Sequence, residues 1–264
     1  MNLDLHVKNE ILPMLPDIVE GTVVHPEMGQ TVSSFGLSLL KQMLQEIGPL
    51  PEEALFLGRA EDGLPIPLNL WDPQPGPILV AADTQAGRTE FLKTITRFVA
   101  STHRARQIQF GVITSRPDQW DGYEGDPHCV GVFSPAQRGV TDFIRALAVW
   151  IEVNQTTRQS VLLLIDGLDD FLTWNNGLGH ALQKILLKGP AKRIWPVVTS
   201  SLHCCQNLGP WLDYFHTRVF GYTQHAGATL DDGYPFSGFH KGSRRVEFSM
   251  KQKSQWIKFH IPGM

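Results

Sequence analysis

The sequence predicts an α/β fold: a mostly parallel central sheet with helices on both faces and a C-terminal β-hairpin. Three observations carry that prediction. Short apolar runs alternate with segments of helical period along most of the chain, as in successive strand–helix–strand units. Val161–Ile165 is continuously apolar and ends in Asp166, the pattern of a parallel strand buried on both faces. Pro77–Thr89, PILVAADTQAGRT, is an apolar strand running into a small-residue loop and then a helix start.

The elements follow in order. Residues 1–50 read as an extended lead-in and one helix, and residues 51–264 as the main domain. Within the first part, Phe35–Ile47 sets Leu37, Leu40, Met43, Leu44 and Ile47 at helical spacing, and Gly48–Pro49 stops the helix. Leu55–Leu70 reads as strand–turn–strand with Asp62–Gly63 at the turn. After the strand at Ile78–Ala81, residues 88–101 form an apolar face from Phe91, Leu92, Ile95, Phe98 and Val99. Strands are expected at Ile108–Ile113 and Cys129–Phe133, separated by a Pro/Gly/Asp-rich loop, Ser115–Pro127. A helix is expected over residues 141–153 and another over Leu178–Lys188, ended by Gly189–Pro190. Ile194–Val198 and Arg218–Tyr222 read as strands, and Val246–Met250 with Trp256–Ile261 as the closing hairpin.

Composition narrows the function classes. A chain of 264 residues with 42% hydrophobic content sustains a full core, and a net charge of −3 gives no bulk drive toward nucleic acid. Lys241, Arg244, Arg245, Lys251, Lys253 and Lys258 make the C-terminal part basic. Those charges read as solvated guards of an edge hairpin, with nucleic-acid contact as the alternative. No apolar run is long enough to cross a bilayer, and MNLDLHVKNE lacks the layout of a signal peptide, so a cytoplasmic protein is expected. Cys129, Cys204 and Cys205 suit a reducing compartment. His203, Cys204, Cys205, His216 and His225 fit no zinc-ligand spacing, and the adjacent cysteines read as a buried reduced pair at a helix start. The tryptophans are scattered and read as core and rim residues.

The chemistry sits in two segments. A P-loop, Gly-x-x-x-x-Gly-Lys-Ser/Thr, cradles phosphate on backbone N–H groups at a helix N-terminus. Residues 82–89 keep that outline through Gly87 and Thr89, with Ala82 at the first glycine and Arg88 at the lysine. Asp83, Thr84, Gln85, Ala86, Gly87, Arg88, Thr89 and Glu90 are therefore the candidate nucleotide-binding residues. VLLLIDGLDD, Val161–Asp170, has the form of a Walker B strand, whose Asp166 could hold Mg²⁺ together with the Thr89 hydroxyl.

The chain resembles the FtsK/HerA family of P-loop motor ATPases. LGRAEDGLPIPLNL is similar to that family's hairpin lead-in, GPILVAADTQAGRTEFLKTI to its P-loop segment, LLLIDGLDDFL to its Walker B, and PVVTSSLHCC to its sensor strand. The resemblance implies a RecA/FtsK-like P-loop NTPase fold, ATP or ADP with Mg²⁺ as ligands, and sensor positions at Ser200 and Ser201. It implies a homo- or hetero-oligomer, working alone or beside an active motor subunit, with DNA or polypeptide as cargo and an arginine acting across a subunit boundary; Arg138, Arg193 and Arg218 are the candidates. The departures from the family matter. Its catalytic glutamate position is Gly167, its sensor glutamine is Ser201, and Ile113–Thr114–Ser115 lacks the Asp that often ends the second strand. Asp169 and Asp170 lie nearby but would need a shifted backbone to substitute. The pattern is similar to the degenerate FtsK-like domains of type VII secretion ATPases. Three functions follow: a nucleotide-binding domain with weak or no hydrolysis inside an oligomer, a slow ATPase moving DNA or polypeptide, and a non-enzymatic scaffold with an empty pocket. Gly167→Glu with Arg88→Lys is expected to raise turnover, unless Gly167 has a positive φ that glutamate cannot adopt.

Overall fold

In the computed structural model, which describes residues 34–48, 51–83, 85–153, 158–174, 176–223, 245–252 and 255–262, the chain starts with α1 (Ser34–Ile47). The hairpin β1 (Ala54–Ala60) and β2 (Pro65–Asn69) follows, then β3 (Ile78–Ala82) and α2 (Arg88–Thr102). Next come β4 (Ile108–Thr114), β5 (Cys129–Phe133), α3 (Arg138–Val153), β6 (Ser160–Asp166), α4 (Leu168–Trp174) and α5 (Gly179–Lys188). β7 (Ile194–Ser201), the short α6 (Leu202–Cys205), β8 (Thr217–Phe220), β9 (Arg245–Gln252) and β10 (Gln255–Pro262) complete the order. The lead-in before Ser34 lies outside the described residues, as do Thr84, His225, Lys241 and Arg244.

The ten strands of the described residues join one sheet in the order β2-β1-β10-β9-β8-β3-β7-β6-β4-β5. Its larger part, β8-β3-β7-β6-β4-β5, is parallel throughout, and the smaller part, β2-β1-β10-β9, is antiparallel and joins β8 through β9. Every residue of β3, β4 and β6 is buried, which is why these strands are largely apolar on both faces rather than alternating. Each fully buried Val, Leu or Ile contributes about 1.5–3 kcal/mol by leaving water. One apolar core lies between the sheet and α3, α4 and α5; the other lies beneath α1 and α2 and extends to Phe248, Phe259 and Ile261 of the hairpin.

Two expectations are corrected, and one segment the sequence did not assign is helical. The basic C-terminal hairpin is not an edge: β10 pairs with β1 and β9 with β8, so the sheet's edges are β2 and β5. The hairpin's buried aromatic face, not its charges, decides its place. α3 begins at Arg138 rather than at 141, after a turn in which the Ser134 N–H donates to Gln137 Oε1 at 3.1 Å. The segment after β6 is helical at once: α4 is too short, and buries too few residues (Leu168 and Phe171), to show a period. The tryptophans divide between rim and core as expected: Trp71 and Trp174 are largely exposed, and Trp120 and Trp195 are fully buried. None of the described helices is long and apolar enough to cross a membrane.

Candidate functional site

The parallel register brings the chemistry to one end of the sheet. Asp166 at the end of β6 stands opposite Thr199 of β7 and Thr114 of β4, while Ala82 at the end of β3 stands opposite Ser201. The P-loop leaves β3 at this carboxyl edge, where ligands bind in open parallel sheets. Two hydrogen bonds hold its stem: Asp83 N–H donates to Tyr222 C=O at 2.9 Å and Ala86 N–H to Asp83 C=O at 3.1 Å.

The loop closes on α2 without a side-chain cap. Gly87 is the N-cap residue at φ 85°, no side chain among the described residues bonds the helix start, and the first helical bond runs from Phe91 N–H to Gly87 C=O. The N–H groups of Arg88, Thr89 and Glu90 therefore have no intrahelical acceptor, as at any helix start, and the helix dipole favours an anion there. Gly87 is required twice over. A Cβ would have to adopt the left-handed conformation and would collide with Val246 of β9. Gln85 holds a left-handed φ of 66°, a conformation that costs a non-glycine residue about 1–2 kcal/mol.

The Ala82 methyl group does not obstruct the loop. It is buried at the end of β3, and its complement is Gly221, where a Cβ would lie 2.7 Å from the Ala82 Cβ. Gly221, just beyond β8, leaves room for that methyl group.

Asp166 is the centre of the site. Its Oδ2 accepts from Thr89 Oγ1 at 2.8 Å, its Oδ1 accepts from Thr199 Oγ1 at 3.1 Å, and the Trp120 indole N–H approaches Oδ2 at 3.5 Å. Thr199 also accepts from the Gly167 N–H at 3.0 Å, so one hydroxyl orients the carboxylate and the turn after it. Thr199 and Trp120 were not among the sequence candidates. The polar break Thr199–Ser200 at the end of an apolar strand was the available signal; Trp120 lies on a 3₁₀ turn inside a loop and gave none. Lys93, one turn after Thr89, lies over the Trp120 ring at 5.8 Å. Burial lowers the pKa of its ammonium, while Glu90 and Asp166 oppose that shift.

The turn after Asp166 splits two carboxylates. Gly167 has φ 104°, and α4 starts immediately beyond it. Ser200 Oγ donates to Asp169 Oδ1 at 3.1 Å, whereas Ser115 Oγ donates to Asp170 Oδ2 at 2.7 Å. Asp169 thus turns toward β7, and Asp170 toward β4. The half-buried Cys204 thiol has its pKa raised, first by burial and then by the Asp169 charge, and Arg88 pulls it the other way. Cys204 is therefore a half-buried thiol beside this turn rather than a buried one.

The other candidates are placed as follows. Glu90 is buried and ion-paired with Arg97, two turns along the same helix, so its carboxylate is engaged inside the protein. Arg193 and Arg218 sit at the amino ends of β7 and β8, away from the loop. Arg193 stacks on Trp71 at 5.1 Å and donates to Ser160 Oγ, and Arg218 donates to the carbonyls of Phe215 and Leu212. Arg138, exposed at the start of α3, is at the carboxyl end. No group of three or more His, Cys, Asp or Glu among the described residues is arranged to hold a metal ion.

No family model and no curated protein matches the chain. Solved structures do. Thermomonospora curvata EccC (ATPases 2 and 3) in complex with a signal sequence peptide aligns over 84% of this chain and 44% of its own length, with TM-score 0.64 and 17% identity. EssC (ATPases 2 and 3) from Geobacillus thermodenitrificans aligns over 82% of this chain and 48% of its own, with TM-score 0.61 and 12% identity. The pCW3 conjugation coupling protein TcpA with ATPγS aligns over 81% of this chain and 67% of its own, with TM-score 0.59 and 12% identity. The chain spans less than half the length of the EccC and EssC structures, and what it shares with all three is the fold.

Proposed function

We propose, on the premise that the chain has the RecA/FtsK-like P-loop ATPase fold, that it binds Mg-ATP or Mg-ADP and turns it over slowly or not at all. In this reading residues 51–264 are the nucleotide-binding domain. In the same reading the domain works on the cytoplasmic side in an oligomeric translocation or secretion assembly, the setting that the family resemblance implies. The observation that carries the reading is the 2.8 Å hydrogen bond from Thr89 to Asp166, made beside a helix start that no side chain caps.

Backbone N–H groups of residues 85–89 and the Arg88 guanidinium supply the phosphate cradle. The Thr89 hydroxyl and the Asp166 carboxylate are hard oxygen donors of the kind Mg²⁺ takes. When bound, Mg²⁺ neutralises charge on the phosphate oxygens. Thr199 keeps Asp166 oriented, and the burial of Asp166 limits water around it. Gly167 carries no side chain to position an attacking water, which supports slow turnover.

Calorimetry with Mg-ATP tests the reading, with an expected Kd of tens to hundreds of micromolar, or about −5 to −6 kcal/mol. Asp166→Ala should weaken Mg-ATP binding while leaving metal-free ADP almost unaffected. No heat and no thermal shift at millimolar nucleotide would leave the empty scaffold as the answer.

A further inference from the structure

We infer that the amino end of the parallel sheet, the pole opposite the nucleotide site, docks on an anionic lipid surface. The inference goes beyond the nucleotide-binding reading above and does not depend on it.

The parallel register gathers basic side chains at this pole. Ile108 of β4 stands opposite Ser160 of β6, and Val161 of β6 opposite Ile194 of β7. Arg106, Arg158 and Arg193 therefore precede the first residues of three neighbouring strands, which lie about 4.8 Å apart. Arg106 and Arg158 are exposed. Lys188, exposed at the end of α5, extends the basic surface. So does Lys251, exposed just past Met250, which β9 pairs with Val219 near the start of β8.

Arg193 is the fixed point of the row. Its Nη2 donates to Ser160 Oγ at 3.0 Å, its guanidinium lies over the Trp71 ring at 5.1 Å, and its backbone holds a left-handed φ of 65°. Burial first, and then the Arg158 charge, lower its pKa. Glu52 and Asp213 are exposed at the same pole, yet no carboxylate among the described residues offsets those two effects. Glu152, at the end of α3, is already ion-paired with Lys184 at 2.8 Å. Arg158 and Arg193 are thus left for an anion from outside.

Apolar side chains at the same pole select the kind of anion. Trp71 just after β2, Val153 at the last position of α3 and Leu187 at the penultimate position of α5 are 54%, 54% and 67% exposed. Trp71 is held at the surface by its neighbours: its N–H donates to Asn69 Oδ1, and the Leu70 C=O accepts from the buried Trp195 indole at 3.2 Å. Surfaces of this composition bury their apolar side chains at the headgroup boundary while their bases meet anionic lipid. A phosphate chain would gain nothing from Val153 and Leu187, so a bilayer fits this pole better than a nucleic acid. In the docked state the P-loop, at the opposite pole, stays open to nucleotide.

The test is co-sedimentation of the full chain with vesicles of phosphatidylcholine, with and without phosphatidylglycerol. Binding is expected to the mixed vesicles alone, and should weaken between about 0.05 M and 0.5 M salt as screening increases. Arg158→Gln with Arg193→Gln should lower the partition coefficient at least about 10-fold, since each basic residue near an anionic surface contributes about 5-fold. Leu187→Asp should lower it several-fold by removing apolar contact. Arg116→Gln with Arg138→Gln removes the same charge from exposed positions at the other pole and should leave the partition unchanged. A melting temperature for each variant identifies loss of fold. If the double variant at the amino pole unfolds, the exposed Arg158→Gln alone carries the test, with an expected loss of about 5-fold. No binding to mixed vesicles, equal binding to phosphatidylcholine alone, or an equal loss in the other-pole variant would each overturn the docking. So would single-stranded DNA bound through Arg158 and Arg193 by a protein that ignores vesicles, a result that assigns the pole to nucleic acid. None of these outcomes bears on nucleotide binding, which calorimetry reads separately.

Discussion

At Gly167 the backbone holds φ 104° with the Asp170 carboxylate packed beside it, so a glutamate introduced there meets strain before it meets any substrate. Gly167→Glu should therefore cost about 1–3 kcal/mol of stability, read as a lowered Tm, and should not raise turnover even with Arg88→Lys. Brisk Mg-dependent hydrolysis by the double variant would show that the turn relaxes. This residue also marks where sequence reading stops. The absence of glutamate was visible in the string Ile165-Asp166-Gly167, whereas the sign of φ and the opposite directions of Asp169 and Asp170 were not. The same holds for Thr199. Its hydroxyl reaches Asp166 only because two strands distant in sequence lie in register, and no local pattern encodes that pairing.

Pairs of elements explain changes that look damaging one residue at a time. Ala82 on β3 and Gly221 just beyond β8 form a packing pair, in which the methyl group occupies the space a Cβ on Gly221 would need. Gly221→Ala should destabilise by about 1–3 kcal/mol through overpacking, and Ala82→Gly in the same chain should recover part of that loss. Additive denaturation energies in this double-mutant cycle would show that the two sites do not share space. At the other end of the site helix, His103 caps α2 and its Nε2 contacts the Glu52 carbonyl at 2.8 Å, tying the helix to the segment before β1. Burial is the largest influence and lowers the His103 pKa below 6.5, with nearby His128 acting in the same direction. The native state then binds fewer protons than the unfolded chain. The contribution of His103 is fully present above about pH 6.5 and is lost as pH falls from there toward the lower folded pKa. Tm measured from pH 7.5 to 5 should fall less steeply for His103→Gln than for the wild type. Strand and helix positions in this part of the chain were legible because long apolar periods dominate them; α4 was not, since seven residues with two buried carry too little period to read.

For the whole molecule, the antiparallel wing depends on its last hairpin. β9 and β10 lie between β8 and β1, and Val246 of β9 rests on Gly87 in the P-loop. Removing residues 245–262 should strip the partner from β1, expose Leu55, Phe56 and Leu57, and abolish nucleotide binding as well as solubility. A truncated chain that stays soluble and binds Mg-ATP normally would contradict that coupling. The alternation of strands and helices made the parallel part of the sheet legible from the sequence. The insertion of the C-terminal hairpin into the sheet's interior was not, because its basic residues resemble the guards of an exposed edge and only the long-range pairing of Arg59 with His260 reveals otherwise.

That same pairing sets a timetable for the nascent chain. β1 leaves the ribosome early, but the strand it must bond to is made about 200 residues later, a delay of roughly 10–40 s at about 5–20 residues per second. Throughout that interval the edge of β1 that takes β10 has no strand partner, while the parallel strands from β3 to β7 can already assemble. The chain is thus built with an unclosed seam, and holdase chaperones that recognise short apolar strands should find this one open until β10 has been made.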